Sequence, residues 1–499
     1  MSTLDSLPPE LIQQICAELG NNVTELRLVC KRMSRILESH VLRSIAIDIT
    51  KLRLDVGISQ LTTLATQGNH AATATHDLHI RNLCPLKDPF GRSPTWAKPP
   101  TPYPPEVKIA EEKMHAMLQV AVASLSNLRS LRWDIGRCDS KWTPKAVMNA
   151  VKTLPLLESL ELIIESSDAA DLQLQCLRNL QSIKISVRRN DYFMKIIEPL
   201  SLLVAKSPNL HTLHLGPTHR PAASLHHLLM NCPPNLVLPL KHLGLQGFSL
   251  KLDSITIPHL HRLTSLTLHH YTEFDPDLHP DGIWAMLKTT DVRLNGIDVT
   301  RVSTTLLDYI SSYSGLKKLC LARMDIETHE QSELAANQFY NLCLGKHTSS
   351  LEELIVTADD EGGWCLGDQA LAVISLCKKL KILEGSLVSA ALYKRVKSLI
   401  GVTTQLPRME KLIVHPADVE VFPSYVGDYQ WMNHFEHVEE LLSDCIREYE
   451  VTESSEPVPL ILVGSRKFMM TPSERARSAG VALRYQCDSD EPDAGDCDF

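Results

Sequence analysis

The chain has 499 residues, room for two or three domains of roughly 100–200 residues or for one long repeat array. Hydrophobic residues make up 44% and charged residues 22%, the balance of a folded soluble chain and not of a disordered tail. Lys and Arg number 50 against 59 Asp and Glu, a net charge of −9. With no basic excess to condense on phosphates, nucleic acid is excluded as a general partner. Leucine occurs 76 times while aromatics give 5%, which favours regular helical or solenoid packing over a β-sandwich. Thirteen scattered cysteines without a C-x-x-C pair read as reduced thiols. The N-terminus lacks a basic start and an apolar core, and no apolar run approaches about 18 residues. The expectation is a cytoplasmic or nuclear protein with no membrane contact.

At the N-terminus, LPPELIQQICAEL opens with Pro8, Pro9 and Glu10, which suit a first helical turn. Leu11, Ile12, Ile15 and Leu19 follow on one face. A second amphipathic stretch has Thr24 as a candidate N-cap, then Leu26, Val29, Cys30, Met33 and Leu37 at helical spacing. Residues 4–45 together resemble an F-box: LPPELIQQI matches the opening of that family's pattern, and LRLVCKRMSRI matches its second half. Two departures stand out. Met33 replaces the usual tryptophan, a gap a flexible thioether can fill, and the loop Gly20–Val23 is short and lacks the usual proline. The resemblance implies docking on the adaptor of an SCF-type cullin–RING ubiquitin ligase, and through it on a cullin. Leu7, Pro8, Leu11, Ile12 and Ile15, with Leu28, Val29 and Cys30, are the adaptor-facing candidates. Some of these must instead hold the helices together, and the pattern does not separate the two sets.

Residues 46–83 read as irregular first repeats, and residues 84–105, with eight prolines and no period, as an exposed loop insertion. From 106 to 415 one phrase recurs, apolar-x-x-apolar-x-apolar, at intervals of 23–35 residues. Clear copies include Leu128/Leu131/Trp133, Leu210/Leu213/Leu215, Leu263/Leu266/Leu268 and Leu351/Leu354/Val356, with weaker ones at Val292/Leu294 and Leu380/Leu383. The last two positions lie two apart and so share one face of a short strand. Amphipathic helical stretches follow many copies, as at 144–154, 192–207, 304–313 and 370–379. The phrase resembles a leucine-rich repeat. The expected fold class is α/β, a short helical F-box followed by a curved solenoid with parallel strands concave and helices convex. Residues 416–485 are expected to cap it, and 486–499, with six carboxylates and no Lys or Arg, to form a disordered acidic tail.

Chemistry is sought and not found. No phosphate loop, nucleophile elbow, dinucleotide fingerprint or zinc-protease motif occurs, so no enzyme activity and no cofactor are expected. Ten of the 21 histidines fall between His211 and His270, but only Cys232 lies near them and His211 and His214 are three apart along a period of two, so no metal site is expected. Alternation places the polar residues beside each apolar pair on the concave face. These are Arg132, Asp134, Glu161, Lys184, His214, His242, Gln246, His269, Arg293 and Asn295, the candidates for binding an unidentified protein substrate. The leading reading is a non-catalytic substrate-recognition subunit of an SCF-type ligase. The rival is a leucine-rich scaffold, independent of any ligase, whose N-terminal helices only cap the solenoid. Co-purification with the adaptor discriminates the two.

Overall fold

The structure, a computed structural model, describes residues 7–8, 11–12, 15, 30–66, 68–87, 104–165, 172–187, 190–216, 224–269, 281–322, 328–358, 360–417, 428–452, 458–472 and 482–488. The expected proline-rich insertion therefore lies mostly outside the described residues. The chain forms two compact units, Met1–Leu260 and His261–Phe499.

The first unit opens on helical residues. Residues 11, 12 and 15 are helical, and α1 (Lys31–Val41) follows, with the Cys30 thiol accepting the Met33 N–H at 3.5 Å. Ile12, Met33 and Leu37 form a small core, flanked by Leu7, Cys30, Ile36 and Val41. Arg32 ties the two segments by donating to the Leu7 carbonyl at 2.9 Å. Strands then alternate with helices: β1 (Ser44–Ile49), α2 (Leu54–Ala65), α3 (His70–Ala74), β2 (Asp77–Leu83), α4 (Pro105–Ala123), β3 (Ser130–Ile135), α5 (Thr143–Val151) and β4 (Ser159–Ile164). A 3-10 turn, Leu174–Cys176, leads to β5 (Ser182–Val187), then α6 (Asn190–Ala205), β6 (Thr212–Gly216), α7 (Leu225–Leu229) and β7 (His242–Gln246). Each strand pairs in parallel with the next. The registers align the apolar pairs, so that Leu131/Trp133, Leu160/Leu162, Ile183/Ile185 and Leu213/Leu215 make two continuous buried rows. Helices cover that side. Pro105 stands at the start of α4, where its missing N–H costs nothing. Its face of Val107, Ala110, Met114, Leu118, Ala121 and Val122 is buried, and it packs against α2 and α5.

The second unit repeats the plan. It contains β8 (Ser265–His269), α8 (Asp281–Thr289), β9 (Gly296–Val299), α9 (Thr304–Ser311), β10 (Lys318–Ala322), α10 (His329–Gln338), β11 (Glu353–Thr357), α11 (Asp368–Ile374), β12 (Ile382–Leu387), α12 (Leu392–Thr403) and β13 (Lys411–Pro416). β8 to β13 are parallel neighbours in sequence order. At β12 a glycine, Gly385, takes the second inward position, because Leu366 fills that space and a Cβ would sit 2.7 Å from it.

Three expectations need correction. The weak copy at Val292/Leu294 is misplaced by five residues, since β9 aligns Ile297 and Val299 with Leu319 and Leu321. Leu294 is its leading leucine, and Val292 merely shares the buried side. The 416–485 segment does more than cap: after α13 (Asp428–Arg447) come β14 (Glu450–Thr452), β15 (Leu460–Val463), β16 (Arg466–Pro472) and β17 (Ala482–Cys487). β15 pairs in parallel with β13, and β16, β17 and β14 continue antiparallel. The tail expected from 486 is wrong at its start, because Gln486 and Cys487 belong to β17 and Asp488 pairs with Lys467 at 3.2 Å; residues 489–499 lie outside the described residues.

Polar side chains from the helical layer satisfy the backbone where the chain enters a strand. The N–H groups of Leu180, Leu294 and Leu316, leading leucines of their copies, donate to Ser207 Oγ at 3.2 Å, Tyr309 OH at 3.1 Å and His347 Nδ1 at 3.2 Å. Leu238 N–H donates to His259 Nδ1 at 2.9 Å. Each acceptor is buried, so each bond removes a donor that would otherwise be orphaned. His347 is satisfied on both sides, its Nε2 lying 3.1 Å from the Ile310 carbonyl.

Candidate functional site: the outer sheet face

Side chains that alternate with the buried rows stand on the sheet face away from the core. In the first unit His79, Arg132, Glu161, Lys184 and His214 are partners in successive strands and form one cross-strand row. Arg132 contacts Glu161 Oε1 at 3.4 Å and Asp134 Oδ1 at 3.5 Å, and His79 Nε2 lies 3.1 Å from Asp134 Oδ2. The row continues at Gly244, where a Cβ would sit 2.6 Å from His214 Nδ1. The imidazole therefore lies over a glycine, and any side chain at that position would have to push it aside. Gln246, at the end of β7, covers Gly216 in the same way. His242 begins β7 and is exposed; partial burial first, then neighbouring His211 and Lys241, hold its imidazole below the ordinary value.

The second unit separates the remaining candidates. His269 ends β8 on the outer face and meets Asp298 Oδ1 at 2.8 Å through Nε2. Arg293 and Asn295 do not belong to this face's strands: both precede β9, and Arg293 bonds Asp291 at 3.0 Å. The residue that takes the outer position in β9 is Asp298, which the misplaced copy hid. The signal was present in the spacing Leu294-x-x-Ile297-x-Val299, obscured by Gly296 ahead of the pair. Further along the same face stand Cys320, Ile355, Glu384 and Ile413, none singled out from the sequence. His415 Nε2 lies 2.9 Å from Glu384 Oε1. Burial pushes the Cys320 thiol far up, and the carboxylates of Asp298, Glu384 and Glu353 push it further, so it offers no thiolate at neutral pH.

The N-terminal candidates divide by burial. Ile12 is 1% exposed and packs inside, whereas Leu11 and Ile15 are 46% and 39% exposed, one helical turn apart. Pro8 is exposed, Leu7 and Cys30 are half-buried, and Leu28 and Val29 lie outside the described residues. Among the described residues no cluster of three or more His, Cys, Asp or Glu side chains is placed to hold a metal ion. No helix of the described residues is long and apolar enough to cross a membrane. What the outer faces of the two units present is an array of polar and apolar side chains on successive strands. Comparison with known proteins gives no match, either to a family model or to a curated protein.

Proposed function

We propose that the chain is a non-catalytic substrate receptor of an SCF-type ubiquitin ligase, an F-box followed by a leucine-rich-repeat solenoid. Its N-terminal helical segment docks on the adaptor, and the outer sheet face holds a protein substrate. The observation that carries this reading is the division of the N-terminal apolar residues. A helical segment that served only as a cap would turn its apolar side chains inward. Here Ile12, Met33 and Leu37 suffice for the internal contact, while Leu11 and Ile15 stay exposed beside Pro8. Leu11 and Ile15, one turn apart and beside Pro8, offer an apolar patch that a partner can cover. The outer face fits the second half of the reading, since repeated strands offer an extended surface that no short loop could span.

The test is capture of purified adaptor by the full chain and by Leu11→Ala/Ile15→Ala. Both side chains are exposed, so the double variant keeps its fold and loses adaptor binding by at least about tenfold. Undiminished capture, or no capture by the unaltered chain, removes the ligase assignment and leaves a leucine-rich scaffold.

A further inference from the structure

The outer face of the second unit carries an apolar strip that the described strands of the first unit lack. Cys320 on β10 aligns with Ile355 on β11, and Ile413 on β13 aligns with Leu462 on β15. Ile382 on β12 and Leu460 on β15 stand one outward position nearer the strand starts, and all six side chains are half-buried on the face away from the core. Core packing does not explain them, because the core is filled by the alternate residues Leu354, Val356, Leu383, Leu412, Val414, Ile461 and Val463. In register with Cys320 and Ile355, one strand out on either side, lie two carboxylates, Asp298 and Glu384. Each is held from its outer flank by an imidazole, His269 on β8 and His415 on β13. The third nearby carboxylate, Glu353, is paired with Lys318 at 2.7 Å. An apolar centre bracketed by oriented charges is the anatomy of a protein-binding surface.

The spacing selects the occupant. Asp298 and Glu384 stand three strands apart, roughly 14 Å at about 4.8 Å per strand. In an extended peptide, residues i and i+4 share one face and are also roughly 14 Å apart. We infer that this face binds an extended, basic-flanked segment of a protein partner, crossing the strands with a Lys or Arg on Asp298, a second on Glu384, and the apolar residue midway between them on Cys320 and Ile355. The inference rests on the protein-binding reading of the outer face and is independent of the adaptor assignment.

The test uses the full chain and three fluorescein-labelled 15-residue peptides. One carries a central Lys-Ser-Leu-Ser-Lys, one has both lysines replaced by glutamate, and one has the second lysine moved two positions farther away, on the same face but roughly 20 Å from the first. Fluorescence anisotropy is expected to rank the first peptide at least about tenfold tighter than the other two. The isosteric variant Asp298→Asn/Glu384→Gln, and separately Ile355→Ser, are each expected to weaken it about tenfold. A control that neutralises the exposed Glu330 and Glu436 on helices leaves it unchanged, which separates the site from the chain's overall negative charge. Equal binding of the three peptides, or a carboxylate variant indistinguishable from the control, overturns the inference. So does a dimer, seen by light scattering, that Ile355→Ser disperses, because the strip would then cover a second copy. Adaptor capture by the same variants is measured alongside. Its loss for the unaltered chain removes the ligase reading while leaving the peptide result to stand or fall alone.

Discussion

The two units share an inward code and differ in their outward one. Facing the helices, both present leucine and isoleucine in paired rows, with Leu213 and Leu266 alike at 0% exposure. Facing away, the first unit shows His79, Arg132, Asp134, Glu161, Lys184 and His214, with Ala46 and Ile163 as its apolar strand positions. The second shows Asp298, Cys320, Ile355, Glu384 and Ile413. Packing constrains one face of every strand and leaves the other to be set by something else. The polar lattice of the first unit partly neutralises itself through Arg132 and its two carboxylates. The second unit keeps half-buried apolar side chains on that face, the surface to which the extended peptide is assigned.

The largest effects should follow the inward code in both units. Leu213→Ala and Leu266→Ala each open a cavity in a packed row and are expected to cost about 2–5 kcal/mol in urea unfolding. Lys184→Ala and Ile355→Ser, one outward residue from each unit, should stay within about 0.5 kcal/mol. An outward substitution as costly as an inward one would erase the distinction between the faces.

Smaller losses are expected where helical side chains accept strand-entry N–H groups. Ser207→Ala in the first unit leaves Leu180 N–H buried without its acceptor, at about 1–3 kcal/mol; His347→Ala does the same to Leu316 N–H in the second and costs more, because it also vacates a buried ring. The histidines add a dependence on pH. Burial holds both His259 and His347 below the ordinary 6.5, against a hydrogen bond to Ile310 that works the other way at His347. The unfolded chain then takes up protons below about pH 6.5 that the folded chain refuses, so stability is full above that value and falls as pH drops below it. His347→Ala should flatten the decline and Ser207→Ala should not. Equal slopes in thermal melts from pH 8 to 5 would show that His347 is not held neutral.

Much of this was legible in the leucine phrase. It located the inward pairs of most strands, because period-two alternation next to a leading leucine leaves few registers. It failed at β9, where two phases of apolar residues overlap and only pairing with β10 decides between them. It also failed at β14 to β17, which carry no repeat: β15 joins β13 in parallel, and β16, β17 and β14 add to it by antiparallel pairing. The outer face was half legible. His214 and Glu161 emerge from alternation; the same alternation turns Ile355 and Ile413 outward, but they were not singled out because only the polar positions were taken as candidates. The acceptors Ser207, His259 and His347 could not be read at all, since each lies 21–31 residues from the N–H it satisfies.

The smallest expected effect bears on what the first unit's lattice is for. Arg132 and Glu161 are 45% and 33% exposed, and their 3.4 Å contact is open to water and salt. In that setting an ion pair gains little, because solvent screens the attraction and two long side chains lose freedom to keep it. A double-mutant cycle with Arg132→Ala and Glu161→Ala should therefore give a coupling of about 0.2–1 kcal/mol, shrinking further in 1 M salt. Such a value means that these charges do not hold the strands together, which the buried leucine rows already do. They are then free to exchange one another for the charges of a partner at little cost to the fold. A coupling above about 2 kcal/mol that survives salt would make the lattice structural. The first unit's outer face would lose its claim as a binding surface, and the apolar strip of the second unit would carry that role alone.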